Sequence, residues 1–252
     1  MIILNSSSDF FYSNLEKILK KRSQNNLSSI DDKVKSIIND VAIRGDQALF
    51  EYSKKFDGSN ITKENIQLSK EILQSYKNNI ETSVLDAFKV AIKNITNFHI
   101  KQKPIDYELN NRGVKTSSVW KAIQSVGLYI PGGKAVYPSS VIMNVIPAKV
   151  AGVKRIAVVT PSKLDKIDPY ILAILDELDI LEIYQIGGAH SIAALAYGTE
   201  SIKSVDKIFG PGNAYVASAK KQVFGKVGID LIAGPSEILV VADNENNPEW
   251  VA

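Results

Sequence analysis

Through the first hundred residues the apolar positions recur at three- and four-residue spacing, the period of one helix face. Phe10, Phe11, Leu15, Ile18 and Leu19 predict a short helix over Asp9 to Lys21 on a polar N-terminal arm, residues 1–22. After Ser28-Ser29, the positions Ile30, Val34, Ile37, Ile38 and Val41 predict a second helix, with Gly45 suited to its C-terminal cap. Asp46 is expected to cap a third, which runs through Ala48, Leu49, Tyr52 and Phe56 to a turn at Asp57-Gly58. Ser69 with Ile72, Leu73 and Tyr76 starts a fourth. From Glu81 to Lys101 the stripe Val84, Leu85, Phe88, Ile92, Ile95 and Phe98 predicts a long amphipathic helix that Pro104 stops. The lysines and asparagines between these positions read as a solvated face.

The period changes after Pro104. Tyr107 to Trp120 alternates and carries Gly113, predicting a β-hairpin or ribbon that bridges two domains. From Ser125 four strand-to-helix units follow in series. Their strands are Ser125–Ile130, Arg155–Thr160, Glu182–Ile186 and Lys207–Phe209, and their helices Val141–Val150, Pro169–Leu178, His190–Tyr197 and Ala214–Phe224. Strands Ile229–Ile232 and Ile238–Ala242 are expected to close the series, and Pro248 to open a last helix. Short apolar strands alternating with helices indicate a parallel sheet covered on both faces. The expected fold is α/β: a doubly wound, Rossmann-like parallel sheet over residues 121–237. A helical first domain, residues 23–120 with 238–252, is expected to be incomplete, and the abrupt end inside a helix start suggests a fragment.

Composition narrows the function classes. Hydrophobic residues are 45% and charged residues 23% of the 252, with mean hydropathy −0.03, and no apolar run approaches the ~20 residues of a membrane span. The formal charge is +3 and its basic residues are dispersed, so no polyanion-binding field forms and nucleic acid is not an expected partner. There is no cysteine, which excludes disulfides, thiolate metal ligands and a cysteine nucleophile, and fits a cytoplasmic setting. The opening MIILNSSSDF has neither the basic lead nor the apolar length of a signal peptide.

The chemistry concentrates in the glycine turns that end the strands. Such turns share the carboxyl edge of a parallel sheet, where ligands of open sheets bind. In the stretch Lys207 to Glu237, Gly210 and Gly212 allow close backbone approach, Pro211 stiffens the turn, and Asn213 brings a two-way hydrogen-bonding amide. The dinucleotide fingerprint fails here, because Tyr215 stands where a third glycine belongs, although Asp230 falls near the ribose-binding spacing of ~20 residues. Helix N-termini beside these turns would favour a phosphate or carboxylate, while a purely structural reading makes the glycines only tight turns. Tyr129 could cover a flat cofactor ring or serve the core, and Lys134 could pair with phosphate or face solvent. Of the two histidines, His99 reads as a helix-end residue. His190 opens a helix after two glycines, so its ring could donate to a ligand, with its proton affinity lowered by the helix terminus. No pair of residues has metal spacing, and Ser236, in Gly-Pro-Ser-Glu, is a plausible substrate contact.

The strings VGLYIPGG, YPSSVIMNVIPAKVAGV, QIGGAHSIAALAYGTESI, VDKIFGPGNAYVASAKKQVFG and IDLIAGPSEILVVAD, in this order, resemble the histidinol dehydrogenase family. The resemblance implies an aldehyde dehydrogenase-like fold class and the last step of histidine biosynthesis. There L-histidinol is oxidised through an aldehyde to L-histidine, with two NAD molecules reduced, in a zinc-containing homodimer. It implies that Tyr129, His190 and Asn213 contact NAD and that Ser236 contacts substrate. His190 stands where the family has glutamine. The zinc ligands and the Glu-His pair for proton transfer are expected beyond Ala252, so the 252 residues alone are expected to be inactive. The alternative is a non-catalytic nucleotide-binding or regulatory module that retains the fold.

Overall fold

The computed structural model describes residues 4–23, 27–132, 137–164, 166–232 and 238–251. The N-terminal helices are α1 (Phe11–Ser23), α2 (Leu27–Arg44), α3 (Asp46–Asp57), α4 (Lys70–Lys77) and α5 (Thr82–Gln102). Ser69 caps α4 as its sequence predicts, its hydroxyl accepting from the Ile72 N–H. Asp46 does not cap α3. Gly45, at φ 56°, both ends α2 and precedes α3, which makes Asp46 the first helical residue. The Asp46 N–H is taken by the Glu200 carboxylate at 2.8 Å, and its own carboxylate accepts from the Ser201 hydroxyl at 2.6 Å. One orphan donor of this helix start, the Asp46 N–H, is thus satisfied by a distant loop, which no local cap rule can read.

The expected hairpin forms: β1 (Tyr107–Asn111) pairs antiparallel with β2 (Val114–Ser118). Arg112 and Gly113 both have positive φ, 47° and 82°, the left-handed pair whose twist matches a two-residue hairpin turn.

The α/β region then runs β3 (Ser125–Tyr129), α6 (Pro138–Ala151), β4 (Arg155–Val159), α7 (Pro169–Glu177), β5 (Glu182–Tyr184), α8 (Gly188–Tyr197), β6 (Lys207–Phe209), α9 (Ala214–Val223) and β7 (Gly228–Ile229). All five strands are parallel, in the order β5-β4-β3-β6-β7. The order reverses between β3 and β6, the place where an open α/β sheet forms its crevice.

Strand alternation divides the interior into two layers. Val126, Leu128, Val158 and Ile183 point to α6 and α7, with Leu73 of α4 in the same cluster and Phe88, Ile92 and Ile95 of α5 packed against it. Tyr129, Ala157, Val159, Tyr184 and Ile208 point the other way, to α8 and α9, and there Val34, Ile37, Ile38 and Val41 of α2 and Leu49 of α3 complete the core. Polar ties fix α2 on α9: the Ser218 hydroxyl donates to the Asp31 carboxylate at 2.5 Å and the Gln222 amide to the Asp31 carbonyl at 2.9 Å. The N-terminal helices therefore pack over the helical layers on both sides of the sheet.

Three expectations are corrected. The apolar stripe of α5 stops short of its end, since Phe98 is 63% exposed. The final strand of the sheet is Gly228–Ile229, not Ile229–Ile232, and Leu231 and Ile232 lie exposed. Ile238–Ala242 forms no strand. Its apolar side chains are exposed and, among the described residues, nothing offers it a ladder of hydrogen bonds. The last helix, α10 (Pro248–Val251), does begin at Pro248. No helix among the described residues is long and apolar enough to cross a membrane.

Candidate functional site

The carboxyl ends of β3, β4, β5 and β6 converge on a cavity of about 720 Å³. The sheet edge supplies Tyr129 and Gly132, Pro161, Gly188 to His190, and Asn213 with Tyr215. The opposite wall is helical, with Lys33, Ser36 and Ile37 from α2 and Tyr52, Lys55, Phe56 and Asp57 from α3. A smaller cavity, about 420 Å³, lies between the start of β6 and the turn from α9 to β7, away from the glycine turns.

The Gly-Pro-Gly-Asn turn is braced from below. Gly210 has φ 117°, and a Cβ there would overlap the Tyr129 carbonyl oxygen, so only glycine lets the two strand ends sit this close. The buried Lys220 ammonium donates to the Gly210 carbonyl at 3.0 Å and pairs with Asp230, whose other oxygen accepts from the Gly210 N–H at 3.0 Å. Asp230 is thereby committed to the turn. Its ribose-like spacing from Gly210 reflects this clamp.

Asn213 is the N-cap of α9. Its side-chain oxygen accepts from the Tyr215 and Val216 N–H groups at 3.0 and 3.1 Å. The two-way amide expected at this position is therefore half used, and the NH₂ is the half left to a ligand. Tyr129 is buried, and its hydroxyl lies 3.5 Å from the Gly188 N–H at the start of α8. Burial pushes its phenol up to about 12, so it stays protonated.

His190 sits in the first turn of α8, which starts at Gly188, and is 1% exposed. Burial lowers its pKa to about 3; the helix terminus anticipated as the cause gives way to desolvation. The rings of Tyr52 and Phe56 stack on each other, 5.6 Å apart and 5° from parallel, and lie 6.0 and 6.1 Å from the imidazole. Ser53 Oγ is 3.4 Å and Asp57 Oδ2 3.9 Å from His190 Nε2. Desolvation raises the Asp57 carboxyl to about 6. Among the described residues three buried side-chain atoms have no hydrogen-bond partner: Asp57 Oδ2, His190 Nδ1 and Thr160 Oγ1, the last just before Pro161. Two of the three belong to residues that line the cavity.

Tyr129, His190 and Asn213, named from sequence, thus meet around one space. Ser236 and Lys134 lie outside the described residues. The wall from α2 and α3 is not evident from sequence, because Ile37, Tyr52 and Phe56 read as parts of helical stripes and Asp57 as a turn former. The available signal was an acidic side chain directly after the aromatic pair Tyr52 and Phe56, one helical turn apart.

The family model described as histidinol dehydrogenase matches residues 20–252. The chain belongs to the histidinol dehydrogenase family. It is 47% identical to the histidinol dehydrogenase of Rhodospirillum rubrum over 248 residues, 98% of this chain and 57% of that protein. It is 52% identical to that of Agrobacterium fabrum over 221 residues, 87% of this chain and 51% of the relative. The crystal structure of histidinol dehydrogenase from Elizabethkingia anophelis superposes with a TM-score of 0.80 at 38% identity, over 87% of this chain and 51% of that one. The chain spans about half the length of the histidinol dehydrogenases it matches. Among its described residues no three His, Cys, Asp or Glu side chains gather to hold a metal ion, so these residues offer zinc no ligand set.

Proposed function

We propose that this chain forms the NAD-binding part of an oxidoreductase that converts L-histidinol through the aldehyde to L-histidine, the last step of histidine biosynthesis. The observation that carries the reading is the meeting of Tyr129, His190 and Asn213 around a cavity at the switch point of a parallel sheet. Its volume lies within the ~300–1,000 Å³ of small-molecule sites, and its walls combine aromatic rings with a few convergent polar groups, the usual composition of such sites.

Each residue has work that its geometry suits. Tyr52, Phe56 and Tyr215 offer ring faces to the flat parts of the dinucleotide. Lys33 and Lys55 at the rim, with the N–H groups that open α8, where no side chain caps the helix, favour the pyrophosphate. The Asn213 NH₂ donates to a ligand carbonyl or phosphate oxygen. NAD, when bound, supplies the hydride acceptor. Ser236 is proposed to contact histidinol. The family resemblance supports a zinc-containing, cytoplasmic homodimer for the whole protein, while the 252 residues alone are proposed to bind NAD without oxidising histidinol.

Titration calorimetry with NAD tests the first part. One-site binding that Gly210→Ala abolishes is expected, because the added methyl would part β3 from β6; no heat of binding to a folded chain would overturn it. An NADH absorbance assay with histidinol and zinc tests the second, and sustained turnover by this chain would refute it.

A further inference from the structure

We infer that His190 is locked as the Nε2–H tautomer and presents Nδ1 as a bare hydrogen-bond acceptor, so that this cavity selects a ligand carrying an N–H or O–H donor. This reverses the sequence expectation that the ring donates. The ligand half of the inference rests on the NAD reading; the tautomer half does not.

The lock comes from α3. The Ser53 hydroxyl spends its proton on the Leu49 carbonyl, 3.0 Å away, so it turns only lone pairs toward the imidazole. Asp57 Oδ2, 3.9 Å from Nε2, adds a second acceptor on that side of the ring once its carboxyl is ionised, above about pH 6. Two acceptors around Nε2 require a proton there. Burial keeps the ring neutral, with its pKa near 3, so that single proton leaves Nδ1 without one. Nδ1 then faces the Gly188 backbone, where a Cβ on Gly188 would stand only 3.3 Å from it. Among the described residues no group donates to Nδ1, although His190 is 1% exposed and lines the cavity. A buried acceptor without a partner is costly, and the partner it lacks is a donor. Within a nicotinamide dinucleotide the donors are the adenine amine, the carboxamide N–H and the ribose hydroxyls.

Nitrogen-15 NMR of the imidazoles in the full 252-residue chain tests the tautomer without any ligand, with His99→Gln, on α5, used to assign the His190 signals. Expected is an unprotonated Nδ1 and a protonated Nε2 from pH 7 to 8, where the Asp57 carboxyl is ionised and no imidazolium forms. A proton on Nδ1, or averaging between tautomers, would overturn the inference even if NAD binds well. Calorimetry then compares NAD with its hypoxanthine, nicotinic-acid and deoxyribose analogues, on the wild type and on His190→Phe. One donor-deleted analogue should lose about tenfold in affinity for the wild type, the worth of a hydrogen bond, and no further affinity for the variant. If NAD binds and every analogue matches it, the cavity does not select a donor. Should His190→Phe fail to fold, the Nδ1 signal of the wild type decides: it must move when NAD is added, and a fixed signal contradicts the inference.

Discussion

Burial acts in opposite directions on the two ionisable groups that meet in the cavity. His190 is depressed to about 3, so an unfolded chain binds a proton that the folded chain refuses, and its contribution to stability is lost as pH falls below about 6.5. Asp57 is raised to about 6, so the folded chain keeps a proton that the unfolded chain gives up, and its contribution is lost as pH rises toward and through 6. Between about pH 4 and 6 the two slopes oppose each other. Asp57→Asn removes one of them. The urea midpoint of the variant should therefore climb more steeply from pH 4 to 6 than that of the wild type; equal slopes would mean that the Asp57 carboxyl titrates normally. At this scale only part of the site is legible in the sequence. Asn213 could be recognised as a polar residue after a glycine turn, but its double use as a helix cap depends on backbone geometry that follows folding. His190 was legible as a ring near the sheet edge, and its role as donor or acceptor was not, because that is fixed by Ser53 and Asp57, far away in the chain.

Among elements, the turn between β6 and α9 depends most on long-range support. Lys220, 4% exposed, holds the Gly210 carbonyl, and Asp230 holds both the lysine and the Gly210 N–H. Lys220→Met keeps the apolar stem and leaves a carboxylate and a carbonyl without their cation. Destabilisation on the order of 3 kcal/mol is expected, read from urea unfolding, and the double variant with Asp230→Asn should recover part of it. A loss below about 0.5 kcal/mol, the range of a free surface change, would show that the clamp contributes little. The strand-to-helix alternation made β3 to α9 readable, since each strand is a short apolar run ended by a turn residue. Ile238–Ala242 has the same local signature and forms no strand. A β-rich run specifies its own preference but not its neighbour, and the five-stranded sheet closes at β7.

On the scale of the whole molecule, two helices of the first hundred residues, α2 and α3, are part of the site. α2 and α3 pack against α8 and α9 in one continuous core, and in doing so bring Tyr52, Phe56 and Asp57 over the carboxyl edge of the sheet. Periodicity revealed that these helices have an apolar face, but which sheet face they cover is a tertiary outcome, so half of the cavity wall stayed hidden. The most direct test is hydrogen–deuterium exchange of the full chain with and without NAD. Slowed exchange should appear together at the end of α3 around Phe56 and Asp57, at Gly188 to His190, and at Gly210 to Tyr215, while the β1–β2 hairpin is unchanged. Protection confined to the smaller cavity around Phe224 to Gly228, or none in either wall despite bound NAD, would contradict the assignment of the dinucleotide to this crevice.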